Sequence, residues 1–166
     1  HDSVHPGLPH AGRNSDLASW VRFAQHLQSR GEMVVFVRDT AKASQPIDQC
    51  DRSLTDCPGA STDLHLRMEL YENAKLNLFT SNGPWSLALF SDRPWLMFLP
   101  KLTDDDPYRP NTPTFWRESH GVAVGEQFPW SRPDQRIVWG QSAVADEFES
   151  LVAAWNEIEP QLAAAA

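Results

Sequence analysis

The chain is poor in cysteine and in positive charge, and it has no long apolar run. Its two cysteines, Cys50 and Cys57 in the segment QCDRSLTDCPG, cannot build a disulfide framework. A single bridge closing a small loop is one reading of the pair. Reduced thiols in a cytosolic loop is the preferred one, because nothing else marks the chain as secreted. A metal site would need more ligands than that segment holds. Lys and Arg number 14 against 22 Asp and Glu, a formal net charge of −8, and no Lys/Arg cluster occurs. That argues against a nucleic-acid surface built on phosphate contacts, although two or three local donors suffice for one small anion. No run reaches the roughly 18 apolar residues of a membrane span. No signal peptide is visible, and the chain opens HDSVHPG without an initiator methionine, as expected of a processed chain or a fragment; this weakens any reading of targeting. Also missing are GxGxxG, GxxxxGK[ST], GxSxG and HExxH, which removes the signatures of a dinucleotide fold, a P-loop, a nucleophile elbow and a zincin. There is no internal repeat.

What is present is a chain of 166 residues, 41% hydrophobic and 22% charged, the size and composition of one globular domain with a real core. Residues 1–12, with prolines, glycines and three histidines, read as an irregular entry segment. Asn14 or Ser15 caps a first helix with Asp16 in its first turn; Leu17, Trp20, Val21, Ala24 and Leu27 fall at helical spacing, and Gly31 stops it. Met33–Val37, MVVFV, predicts a central parallel strand. Arg38-Asp39-Thr40 follows at its carboxyl end, either as a solvated turn or as part of a ligand site. Residues 41–61 read as a long irregular loop of the kind that forms lids. Asp63 opens a second helix, whose Leu64, Met68 and Tyr71 with Leu66, Leu70 and Ala74 predict a broad apolar face. Asp104–Asp106 read as a solvated acidic loop rather than a metal site, because adjacent side chains diverge. A short helix is expected over Thr114–His120, a weak strand over Val122–Val124, a last strand over Ile137–Trp139 and an amphipathic helix over Asp146–Glu159, with a frayed tail at 160–166.

The most informative stretch runs from Leu76 to Leu99, LNLFTSNGPWSLALFSDRPWLMFL. LNLF has the length of a buried strand. Pro84 suits a helix start, because its fixed φ is already helical and its missing N–H would be unbonded there anyway. Pro94 ends the helix, since the residue before a proline is pushed out of the α region, and Trp95–Leu99 is a second buried strand. The result is a β-α-β unit with a very short helix and a polar turn, Ser81-Asn82-Gly83, at its entrance. In open parallel sheets such turns lie at the carboxyl ends of strands, where ligands bind, and the N–H groups of a helix start favour an anion. The same residue types also serve simply as caps and tight-turn formers.

These two blocks, GRNSDLASWVRFAQHLQSRGEMVVFVRDT and LRMELYENAKLNLFTSNGPWSLALFSDRPWLMF, resemble the C-terminal half of GT-B-type glycosyltransferases, closest in pattern to the bacterial heptosyltransferase-like families. The resemblance covers roughly residues 13–99. It implies a domain that binds a nucleotide-sugar donor with its diphosphate at helix N-termini. By position, Ser81, Asn82 and Gly83 would hold the diphosphate, and Arg13, Asn14, Arg38, Asp39 and Thr40 would line the same cleft. Where the family's turn reads Asp-Ser/Thr-Gly with a histidine a few residues on, this chain has Thr80-Ser81-Asn82-Gly83 without it. The acceptor-binding N-terminal half, which often supplies the catalytic base, does not fit in 166 residues beside this one, so no catalytic residue is assigned here.

The expectation is therefore a single three-layer Rossmann-like α/β domain over residues 1–166, with a mostly parallel sheet flanked by helices. Its expected ligand is a nucleotide sugar, as substrate rather than cofactor; no metal, nucleic acid or membrane span is expected, and the expected location is the cytoplasm. An acceptor domain absent from this chain is the implied partner. An arginine such as Arg38 or Arg13 would stabilise the leaving group's charge. The rival from another class is a non-catalytic interaction or glycan-binding domain using tryptophans such as Trp116, Trp130 and Trp139. A hydrolase acting on a phosphorylated small molecule is the weakest reading, for want of a nucleophile or metal cluster.

Overall fold

The computed structural model describes residues 16–38, 40, 43–45, 47, 54–81, 83–106, 111–141 and 147–164. The entry segment, Cys50 and Asp146 lie outside that set.

Helix α1 (Leu17–Ser29) buries Val21, Phe23, Ala24 and Leu27 and ends before Gly31, whose φ of 86° suits a residue without Cβ. Asp16 is its cap residue rather than part of its first turn, and the Ser19 hydroxyl donates to it. Strand β1 is only Val35–Phe36, paired in parallel with β2 (Thr55–Asp56) in a sheet of two. The expected central strand over Met33–Val37 is thus corrected. Met33 is 85% exposed, and the run borders the fold instead of crossing its middle.

The span read as an irregular loop contains β2 and a 3-10 turn, Pro58–Ser61. Asp63 caps α2 (Leu64–Asn73) as expected, its Oδ1 accepting from the amides of His65 and Leu66. The broad apolar face of α2 is corrected. Leu64 and Leu66 are exposed, and the fully buried positions are Tyr71 and a charged residue, Arg67.

The β-α-β unit forms as read, with β3 (Asn77–Thr80), α3 (Trp85–Ala88) and β4 (Trp95–Leu99) in sequence. Pro84 enters α3 with φ −58°, ψ −28°, already helical. After α4 (Pro113–His120), capped by the Thr112 hydroxyl accepting from Phe115 N–H, the chain returns as β5 (Gln135–Trp139). Val122–Val124 is not a strand. Val122 is buried just past the left-handed Gly121 that closes α4, and Val124 is exposed. The last helix, α5 (Phe148–Ala164), runs through Pro160 into the segment expected to fray, because Ile158 and Leu162 on either side are held in the core.

Strands β3, β4 and β5 pair in parallel in that spatial order, with Trp95 opposite Asn77 on one side and Gln135 on the other. Every residue of β4 is buried, and the pleat divides them between two cores. Trp95, Met97 and Leu99 pack with Phe79, Ile137, Trp116 and Phe128. Leu96 and Phe98 pack with Phe23, Leu27, Leu151, Trp155 and Ile158 of α1 and α5. This explains the continuous apolar run: a strand covered on both faces has no solvent side to alternate with. The architecture is a three-layer, Rossmann-like α/β fold. Among the described residues no helix is long and apolar enough to cross a membrane.

Candidate functional site

Beyond the carboxyl end of β3 lies an open groove of about 280 Å³. One wall is the start of α3, with Gly83, Pro84, Ser86 and Leu87; the other is the 3-10 turn and the start of α2, with Ser61, Thr62, Asp63 and Arg67. The chain folds this way because each wall is a helix entrance with its own local anchor. On one side the Asp63 carboxylate takes two amides of α2. On the other, the Ser86 hydroxyl and amide both donate to the Gly83 carbonyl, at 2.6 and 3.2 Å, and Leu87 N–H donates to Pro84. Those two amides of α3 are therefore spent inside the turn, and a four-residue helix offers little dipole of its own.

The turn after β1 is latched behind the second wall. The Ser61 hydroxyl donates to the Arg38 carbonyl at 2.8 Å, and the Thr40 hydroxyl donates to the Ser61 carbonyl at 3.0 Å. Arg38 and Thr40 are thus brought beside the groove through Ser61, while the Arg38 guanidinium donates to the Gln45 carbonyl at 2.6 Å. Gly83 stands on the rim, and a Cβ built on it meets nothing within 4 Å. Ser81 is half-buried at the end of β3 and outside the groove lining. Arg13, Asn14, Asp39 and Asn82 lie outside the described residues.

The residue that sequence reasoning passed over is Arg67. Its side chain is 7% exposed, its Nε–H donates to the Ala60 carbonyl at 2.6 Å, and it lines the groove. It forms no ion pair with any described residue. The guanidinium also acts on the Tyr71 hydroxyl, where its charge and hydrogen bond favour ionisation; burial is the larger effect and raises that hydroxyl's pKa. The available signal was positional: residue 67 falls four before Tyr71, so the two share one face of the helix. A second hollow, of about 270 Å³, lies near the amino end of β5 beside Arg132, Pro133, Asp134 and Gln161. There the cation is already satisfied, since Arg132 donates twice to the Asp134 carboxylate at 2.9 Å.

Other expected candidates resolve differently. Trp116 is core, and Trp139 donates its indole N–H to the Glu126 carbonyl. Glu72 pairs with Arg93 at 3.4 Å on the surface, away from the groove lining. His120 ends α4 against Trp85, Phe115 and Trp116. Cys57 is a free thiol, and no group of three or more His, Cys, Asp or Glu among the described residues is placed to hold a metal ion.

Fold and groove together define the class: a parallel three-layer α/β domain with an open groove at a strand-to-helix turn, the usual position for a small-molecule site in such sheets. Compared with known protein families, with curated proteins and with solved structures, the chain matches none.

Proposed function

We propose that this domain binds the nucleotide-sugar donor of a GT-B-type glycosyltransferase, with the donor's diphosphate in the groove between the starts of α2 and α3. One observation carries the reading. The β3–α3 turn, singled out by its residues, opens onto a groove whose far wall is tied by hydrogen bonds to the Arg38–Thr40 turn. The Arg38–Thr40 turn, assigned to the same site by resemblance, is thus linked through Ser61 to the wall that faces Gly83, without lining the groove itself. In this reading the protein positions and neutralises the leaving diphosphate, and the acceptor and catalytic base come from a domain outside this chain. UDP, GDP or ADP is expected to raise the melting temperature. Gly83→Val, which has room on the fold but fills the groove's rim, is expected to abolish that rise. A melting temperature unmoved by all three nucleotides would sink the proposal.

A second reading, an interaction domain, is favoured by one feature. Phe90 is 80% exposed and Trp130 45% exposed, their rings 5.2 Å apart, forming an aromatic patch on the surface. If no nucleotide shifts the melting curve, this reading takes precedence.

A further inference from the structure

The groove's charge is set by two residues. Asp63 is committed to its own helix, accepting two amides through one carboxylate oxygen. Arg67 is different. It is more than nine-tenths buried, lines the groove, donates through Nε to the Ala60 carbonyl, hydrogen-bonds the Tyr71 hydroxyl, and has no carboxylate partner among the described residues. A guanidinium withdrawn from water without a counter-charge is costly, and a protein that keeps one in a groove has left room for an anion to complete it. The fork-shaped donor edge matches the oxygens of a phosphate group better than any other common anion except a carboxylate. The alternative cation, Arg38, already spends its guanidinium on the Gln45 carbonyl. The amides of α3 are partly consumed by Gly83 and Pro84, so they do not supply the charge either.

We infer that Arg67 is the residue that binds the phosphate-bearing part of the ligand, its Nε anchored on the 3-10 turn and its terminal nitrogens donating to phosphate oxygens in the groove. The inference rests on the donor-binding reading above but makes a separate claim. It assigns the anion's counter-charge to a buried residue on α2 rather than to the β3–α3 turn or to Arg38. Ser61 and Ser86 then act as walls, because both hydroxyls already donate to backbone carbonyls.

The test is calorimetric titration of the chain with inorganic phosphate, inorganic pyrophosphate, UDP, GDP and ADP. The variants are Arg67→Met, Arg67→Lys, Ser86→Glu and, as a surface control, Arg136→Ala, each checked for its melting transition. Arg67→Met is expected to weaken pyrophosphate and nucleotide binding by at least about tenfold, the loss of one charge-assisted hydrogen bond. Arg67→Lys, which keeps the charge but not the fork, is expected to weaken it severalfold. Should Arg67→Met not fold, Ser86→Glu decides. It places a carboxylate on the exposed rim and is expected to cost at least about tenfold by like-charge repulsion. Nucleotide binding that is unchanged in the Arg67 variants overturns the assignment and leaves the donor reading standing; binding unchanged in Ser86→Glu overturns both, since both place the phosphates in this groove. Pyrophosphate binding that depends on Arg67, with no nucleotide bound more tightly than pyrophosphate, upholds the assignment and overturns the donor reading. Binding of inorganic phosphate as tight as pyrophosphate restricts the ligand to a monophosphate group and likewise leaves the assignment intact. No binding of any probe overturns both.

Discussion

His120 sits in the last turn of α4, where the helix dipole would favour its charged form, yet it is packed among Trp85, Phe115 and Trp116. Burial lowers its pKa below the ordinary 6.5. The native state therefore binds this proton less readily than the unfolded chain. Its effect on stability is absent above about pH 6.5 and becomes a loss as the pH falls toward the lowered native value. The melting temperature of His120→Phe is expected to decline less than that of the unaltered chain between pH 7 and pH 5. Parallel declines would show that His120 is not the group responsible. Arg67 and His120 share a lesson. Each lies on a helix at a position whose neighbours on that helix can be counted from the sequence, but part of what surrounds the side chain comes from another element: the 3-10 turn for Arg67, α3 for His120. Neither environment was legible in the sequence.

At the scale of elements, β3, α3 and β4 were readable because every signal was local: an apolar run, a helix-starting proline, a helix-ending proline and a second apolar run. The close backbone approach beyond the end of β5 was not. Gly140 follows it immediately, and a Cβ there would lie 2.2 Å from the Leu99 carbonyl oxygen and 3.0 Å from the Pro100 carbonyl carbon. The exits of β4 and β5 thus approach too closely for any side chain. Because the obstacle is backbone, Gly140→Ala is expected to reach the upper end of the roughly 1–3 kcal/mol that overpacking costs, measured by urea unfolding. A loss below about 0.5 kcal/mol would show that the two exits can part freely. The outer edge of β5 shows a related contact between distant residues. The Gln127 carboxamide accepts from Ile137 N–H at 2.6 Å and donates to Ile137 C=O at 2.9 Å, pairing with the strand as a neighbouring backbone would. The two-residue sheet of β1 and β2 was misread for the converse reason: MVVFV has the composition of a central strand, and composition does not say how many partners a strand finds.

For the whole molecule the decisive element is β4, because its alternate residues belong to different cores. Met97 and Phe98 are both 0% exposed, one facing each side of the sheet. Met97→Ala is expected to cost about 2–5 kcal/mol and Phe98→Ala about 3–5 kcal/mol, large fractions of a typical total of roughly 5–15 kcal/mol. Both should lower one cooperative transition, with circular dichroism and tryptophan fluorescence coinciding. Two separated transitions in either variant would mean that the layers unfold independently. By itself, the sequence determined the parallel β-α-β unit, the helix boundaries at Gly31 and Asp63, and the acidic net charge, since each follows from residue type and spacing within one segment. Only the tertiary structure decided that the first apolar run lies in a separate small sheet, that the start of α2 forms a wall of the groove opposite Gly83, and that an arginine stands buried there with no ion-pair partner among the described residues. Those facts depend on which distant segments meet, and burial is a property of that meeting rather than of the residue that undergoes it.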